Sequence, residues 1–308
     1  MTIKDKIIQI NYKKPIKIPI LLICFDRPEI LNKTIKLLLN YKAKNLYISQ
    51  DGYLGNDKQI IKRHKKVKSI LKRLKKRNKI KINLLNKNFG KKFGPPMAID
   101  WFFKKVAMGV IIEDDTLPSK SFLLMSQILL GKHKYDKKVF QICGSGVLPR
   151  SFGNITYSSS LPFIHGWATW RNRWKLYNQK IGNLKRLINN KHFKRNVESF
   201  IGKIYWLNIF SDYKKGKHFT WDYPLAYHCL IKNYQCIKPS INMITNIGYT
   251  EKNKLSMRKK FEIDYFHNLK NYKNSFINEK KAENWIFYDI SLRYKVSLII
   301  KYFMGIFK

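Results

Sequence analysis

The chain has 308 residues, with 62 Lys+Arg against 19 Asp+Glu and a formal charge of +43. Hydrophobic residues make up 44% and aromatic residues 14%, enough to bury a full core. That excludes a disordered chain, and the length suits one large α/β domain or a domain with an appendage. Acids are scarce enough that a cluster of them is hard to read as filler.

The four cysteines, Cys24, Cys143, Cys229 and Cys236, are far apart and lack metal-ligand spacing. A chain of this length does not need disulfide staples, so the expected compartment is a reducing cytoplasm. The early stretch "KKPIKIPILLICF" imitates a signal peptide, but its apolar run is short, Pro19 interrupts it and no small-residue cleavage site follows. It reads instead as a buried strand. No stretch reaches the roughly 18 uncharged apolar residues of a membrane-spanning helix. Lys, Asn and Ile are abundant together, as an AT-rich genome would produce without selection for any partner, so the distribution of charge matters more than its total.

Taken in order, "IPILLICF" (18–25) predicts a strand, and Pro28 opens a helix over "EILNKTIKLLLNY". "NLYISQDG" (45–52) is the next strand. Residues 58–77, "KQIIKRHKKVKSILKRLKKR", place Ile60, Val67, Ile70, Leu71 and Leu74 on one side of a helix with a dense Lys/Arg face opposite. Such a face attracts phosphates of lipid, nucleic acid or nucleotide. A strand over 79–86, a glycine-rich turn "NKNFGKKFGPP" and a helix "MAIDWFFKK" follow. "GVIIEDD" is a fourth strand, "SKSFLLMSQILLGKH" a helix, and "KVFQICGSG" (138–146) a fifth strand. Repeated βα units with continuous apolar strands predict a mostly parallel sheet covered on both faces.

In open α/β sheets ligands bind beyond the carboxyl ends of the strands. "CFDRP" (24–28), "SQDG" (49–52) and "EDD" (113–115) all fall at such ends. Carboxylates at a strand end in a chain rich in Lys and Arg suit a hard divalent cation, Mg²⁺ or Mn²⁺, that bridges the phosphate oxygens of a nucleotide diphosphate.

The ordered set "IPILLICFDRPEIL", "YISQDG", "NKNFGKKFGPPMAIDWFF", "IIEDDTLPSKSFL", "IHGWATWRNRW" and "TWDYPLAYHCL" resembles the GT-A glycosyltransferases over about residues 17–250. It is most similar to bacterial surface-polysaccharide and lipopolysaccharide sugar transferases, and remotely to N-acetylglucosaminyltransferase I. The resemblance implies a Rossmann-like GT-A domain over 1–250 and a basic helical extension over 251–308. It further implies a metal-dependent enzyme of the hexosyltransferase class that moves a sugar from a nucleotide-diphosphate sugar, UDP-sugar favoured, to a glycan or lipid-linked acceptor.

Carried onto this chain, the acidic triplet is the DxD-type motif. It makes Asp115 the metal ligand, with Asp114 and Glu113 holding the metal or the sugar and ribose hydroxyls; the alternative is a cap on the following helix. Asp51 corresponds to a base contact and Arg27 to a base or phosphate contact, against a plain Asp-Gly turn and a surface ion pair. Asn88, Gly90 and Lys92 form the next loop, where Lys91 or Lys92 would meet the diphosphate. Asp222 is the expected catalytic base of an inverting displacement, against a plain helix cap. The stretch 162–174 resembles an acceptor loop in which Trp167 and Trp170 stack on sugar and Arg171 or Arg173 reaches phosphate; an aromatic core edge is the other reading. One departure stands out: the late histidine that completes many GT-A metal sites has no counterpart after "NMITNIGYT" until His267.

The tail "ISLRYKVSLIIKYFMGIFK" places Leu292, Val296, Ile299, Ile300, Phe303, Met304 and Phe307 on one helical face. That is the form of an interfacial helix, or of one docked on the domain. With the basic 58–77 face, it suggests an anionic membrane surface as partner and a peripheral position on the inner face of the cytoplasmic membrane. Nucleic acid is not expected, because 58–77 carries no aromatic side chain for stacking and the acidic triplet would have no role. A lapsed, transferase-like binding protein is the remaining alternative.

Overall fold

The computed structural model describes residues 14–77, 80–146 and 155–247, with the backbone pair 273–274. Strands and helices alternate from the start: β1 (Ile20–Cys24), α1 (Pro28–Asn40), β2 (Leu46–Gln50), α2 (Lys58–Arg77), β3 (Lys81–Leu84), α3 (Gly90–Lys105) and β4 (Met108–Glu113). Next come β5 (Thr116–Pro118), α4 (Lys120–Lys132), β6 (Val139–Cys143), β7 (Ile155–Ser159), β8 (Trp167–Trp170) and the single turn α5 (Arg171–Trp174). Four helices follow, α6 (Leu184–Asn189), α7 (Lys191–Asn196), α8 (Phe200–Lys214) and α9 (Asp222–Lys232), then β9 (Gln235–Pro239), β10 (Ile244–Asn246) and β11 (Lys273–Asn274).

The main sheet runs β11-β7-β9-β6-β8-β4-β1-β2-β3, and β5 pairs with β10 in a separate ribbon. The β3-β2-β1-β4 half is parallel throughout, as the repeated βα units require. β8 departs from that pattern by running antiparallel to both β4 and β6.

Continuous apolar strands arise because both faces are covered. Along β1, Ile20, Leu22 and Cys24 join a core under α1, α2 and α4, while Leu21 faces the opposite core with Phe102 and Phe103 of α3 and Leu225 of α9. β4 divides in the same way, Val110 and Ile112 to one side and Ile111 to the other. A third cluster, including Leu187, Phe193, Leu207, Phe210 and Tyr227, binds α6–α9 together.

α1 begins with Pro28, whose missing N–H costs nothing in a first turn. α2 buries Val67, Ile70 and Leu71 and leaves Lys58, Lys62, Lys65, Lys68, Lys72 and Lys75 exposed. α3 reaches back to Gly90 through Pro95 and Pro96, so the glycine-rich stretch expected as a turn is largely its first turns.

From Gly166 to Trp174 the aromatic stretch mostly builds core. Trp167 and Trp170 are 1% and 3% exposed, and Trp170 Nε1 donates to Leu130 O at 3.0 Å. Arg173 is 2% exposed and donates to the carbonyls of His133, Lys134, Asp136 and Val139. Arg171 Nε donates to Val106 O. For Trp167, Trp170 and Arg173 the core-edge reading therefore replaces the acceptor-loop one, since these side chains fasten β8 and α5 to the sheet, whereas Arg171 is half-buried.

The four cysteines are free and buried. Among the described residues no helix is long and apolar enough to cross a membrane. The expected boundary at 250 and the amphipathic tail lie outside the described residues.

Candidate active site

The chain passes from β1 to β2 and β3 on one side, and α3 then carries it back to β4 on β1's other side. The connections diverge between β1 and β4, which opens a crevice beyond their carboxyl ends. A cavity of about 580 Å³ lies there, lined by Arg27, Asp51, Asn88, Glu113, Asp114 and Asp115 among others. The segments after β1, β2, β3 and β4 thus meet on one surface, joined by Ile164 before β8 and by Thr220 and Trp221 before α9.

The acidic triplet is anchored through its backbone. Asp114 N–H donates to Ile23 O at 2.8 Å, Thr34 Oγ1 donates to Asp114 O at 2.7 Å, and Ile247 N–H donates to Asp115 O at 2.8 Å. Helix capping does not use it: Ser119 caps α4 by accepting from Phe122 N–H at 3.1 Å. Arg27, at the N-cap of α1, directs its guanidinium onto the triplet. Its Nη1 donates to Asp115 Oδ2 at 2.7 Å and its Nη2 donates to Asp114 Oδ1. Asp114 Oδ2 is buried and, among the described residues, has no hydrogen-bond partner of ordinary geometry, although the Phe25 backbone N–H is near enough to favour the carboxylate.

Crowding of acids raises their proton affinity. Burial, then Asp115 and Asp114, push Glu113 up to about 7 from 4.5 despite Arg27, and Asp222 adds to the effect. Burial likewise carries Asp114 to about 6, with Arg27 opposing and Asp115 assisting. Burial by itself would lower Arg27, but Asp114 and Asp115 outweigh it and hold the guanidinium charged.

Asp51 organises the loop after β3. Its carboxylate accepts from the backbone N–H groups of Gly52, Phe89 and Gly90 at 2.9–3.2 Å. Burial still lifts its pKa above the ordinary value, against those three donors. Two glycines permit this arrangement: Gly90 has φ +64°, and a Cβ on Gly94 would stand 2.9 Å from Asp51 Oδ2. Asn88 Oδ1 accepts from Gly90 N–H at 2.7 Å, and Asn88 lines the cavity. Of the two neighbouring lysines, Lys91 lines the cavity, whereas Lys92 places its ammonium 5.2 Å from the Tyr213 ring centre and 5.4 Å from that of Phe93. Of the two lysines named for the diphosphate, Lys91 is thus the one at the cavity, and Lys92, placed with the same loop, is turned to the aromatic rings.

Asp222 is the first residue of α9, and no side chain caps that helix. Its carboxylate accepts from the Thr220 hydroxyl. It lies near enough to the strand-end cluster to act electrostatically on Glu113 and His165. Burial lowers the pKa of His165, opposed by Asp115 and Asp222, and Asn246 Nδ2 lies 3.3 Å from its Nδ1. Trp221 lines the cavity and His165 lies close enough to feel Asp115 and Asp222, and neither was singled out from the sequence. Their only signal was their place within "IHGW" and "TWD", His165 two positions before Trp167 and Trp221 one before Asp222.

Hard carboxylate oxygens and one orphaned buried oxygen, Asp114 Oδ2, fit a divalent cation by donor chemistry. Among the described residues, however, no group of three His, Cys, Asp or Glu side chains is arranged to hold an ion unaided. This donor set suits an ion that keeps its waters and completes its shell with substrate phosphates, as Mg²⁺ commonly does.

No protein-family model matches the chain, and no curated protein matches it. Similar chains among solved structures include HddC from Yersinia pseudotuberculosis, 10% identical, covering 54% of this chain and 82% of that one at a TM-score of 0.32. The same protein complexed with GMP-PN covers 49% and 77% at a TM-score of 0.28. Likeness this slight says nothing about the reaction of this chain.

Proposed function

We propose that the chain is a GT-A-type glycosyltransferase that moves a sugar from a nucleoside diphosphate sugar to a hydroxyl of a glycan or lipid-linked acceptor. The observation that carries this reading is the convergence of Arg27, Asp51, Asn88, the 113–115 triplet, Thr220 and Trp221 at one switch-point cavity, with Asp222 next in the chain and bonded to Thr220. It gains support from the ordered motifs of the sequence. A divalent ion, when bound through Asp115 and Asp114, would stabilise charge developing on the departing diphosphate.

The protein's own groups divide the remaining work. The Asn88–Gly90 turn, held by Asp51, presents backbone to the nucleotide, and Arg27 and Lys91 offer cations to its phosphates. Asp222, oriented by Thr220, accepts the acceptor hydroxyl proton. That oxygen attacks the anomeric carbon as the bond to the phosphate oxygen breaks, so configuration inverts. A positioned base of this kind contributes about 10²–10⁴-fold. The basic face of α2 supports docking on an anionic membrane surface near lipid-linked acceptors, with attraction worth about 1 kcal/mol per engaged Lys.

A thermal-shift panel of UDP-, GDP-, CMP- and dTDP-sugars, with and without Mn²⁺, tests the reading on wild type and Asp115→Ala. A ligand present at about 100 times its Kd adds about 2.7 kcal/mol to stability. Stabilisation by one nucleotide sugar that is lost in Asp115→Ala is the expected result. No shift from any of them, in folded protein, would sink it.

A further inference from the structure

We propose that Arg27 is an exchangeable counter-ion: its guanidinium holds Asp114 and Asp115 in competition with a divalent cation, and moves to the phosphates when cation and nucleoside diphosphate enter together. This rests on the transferase reading for its phosphate half, though not for the competition at the carboxylates.

The geometry leads there in three steps. First, Arg27 spans the two carboxylates at once, with Nη1 on Asp115 Oδ2 at 2.7 Å and Nη2 on Asp114 Oδ1. A cation alone must displace a forked, charge-assisted pair, and without substrate phosphates no third His, Cys, Asp or Glu among the described residues joins these two to complete its shell. Second, a diphosphate alone meets Asp26, Asp51, Glu113, Asp114 and Asp115 on the cavity wall against Arg27 and Lys91. Its charge is repelled while Arg27 is already matched by carboxylates. Third, the Arg27 side chain is 37% exposed, against 1% for Asp114 and 11% for Asp115, so the guanidinium can leave while the carboxylates stay in place.

Binding the two ligands together resolves both conflicts. The carboxylate oxygens released by Arg27 accept the divalent cation, and the guanidinium pairs bidentately with phosphate oxygens, which it matches as well as carboxylate. The couplings are reciprocal: whatever factor the nucleotide adds to cation affinity, the cation adds to nucleotide affinity. Neither ligand then occupies the site productively without the other.

The test uses the full chain at pH 8 and reads binding alone. Mn²⁺ is titrated with the free-ion electron-paramagnetic-resonance signal as readout, alone and with UDP, GDP, CDP or dTDP, on wild type and Arg27→Met. Arg27→Gln is a second variant should the first fail to fold. The variant is expected to bind Mn²⁺ alone at least tenfold more tightly than wild type. In wild type, the accepted nucleoside diphosphate is expected to raise Mn²⁺ affinity at least tenfold, and in the variant by distinctly less. Equal Mn²⁺ affinity in variant and wild type would overturn the competition. Nucleotide binding indifferent to Mn²⁺ would overturn the exchange while leaving the nucleotide-sugar reading standing. Mn²⁺ competition with no binding of any nucleoside diphosphate would overturn the phosphate half together with that reading.

Discussion

Replacing Glu113 by Gln should stabilise the protein at alkaline pH while weakening its site. Burial and two neighbouring acids raise the Glu113 pKa from 4.5 to about 7. A folded-state value above the unfolded one means that this group's contribution is fully present below pH 4.5 and is lost as pH rises through about 7. The displacement corresponds to on the order of 3 kcal/mol, or about 2 kcal/mol once the half-buried position of the residue as a whole is allowed for. Gln keeps the shape and cannot ionise. At pH 8.5 the variant is expected to be more stable than wild type by about 2 kcal/mol, and at pH 4 equal to it, which in thermal melts amounts to a few degrees at the upper pH only. Urea denaturation from pH 4 to 8.5 on both proteins gives the same comparison isothermally. A variant less stable than wild type at pH 8.5 would refute the electrostatic reasoning, since Glu113 would then be making net favourable interactions as an anion. Retaining an acid at this cost is what a ligand-binding role leads one to expect.

Asp222→Asn should lower turnover by about 10²–10⁴-fold with nucleotide affinity unchanged, checked by single-turnover kinetics beside calorimetry. Thr220→Val, which loses the hydroxyl bonded to Asp222, should reduce turnover less and shift stability by no more than about 1 kcal/mol. Gly94→Ala should cost nucleotide affinity, because the new Cβ would meet Asp51 Oδ2 at 2.9 Å and disturb the Phe89–Gly90 turn. Its melting temperature should change little, since Ala gains about 1 kcal/mol of helix propensity. Trp170→Ala should destabilise by about 3–5 kcal/mol in urea titration, as a core residue does and an acceptor-binding residue does not.

Much of the parallel half of the sheet was legible because its strands are apolar on both faces and each ends in polar residues. "ILLIC", "LYISQ" and "MGVIIE" match the observed β1, β2 and β4. The same regularity put the triplet at a strand end before any side chain was placed. The aromatic stretch 162–174 was ambiguous because Trp and Arg serve equally in a sugar-binding loop and in a core edge. Burial decides, and burial depends on β8 filling the gap between β4 and β6. Lys91 and Lys92 could not be separated because their directions follow from the positive φ at Gly90 and the start of α3 there. Arg27 was legible as a site residue, but its grip on both aspartates is a pairing across 87 and 88 positions that no local pattern encodes.

The most direct test of the central claim is nucleoside diphosphate release from a panel of nucleotide sugars with glycan and lipid-linked acceptors, with the anomeric configuration of the product read by NMR. The expected result is release from one nucleotide sugar, an inverted product, and loss of both in Asp115→Ala and Asp222→Asn. Folded wild-type protein that releases nothing from any donor, or variants that turn over as fast as wild type, would contradict it.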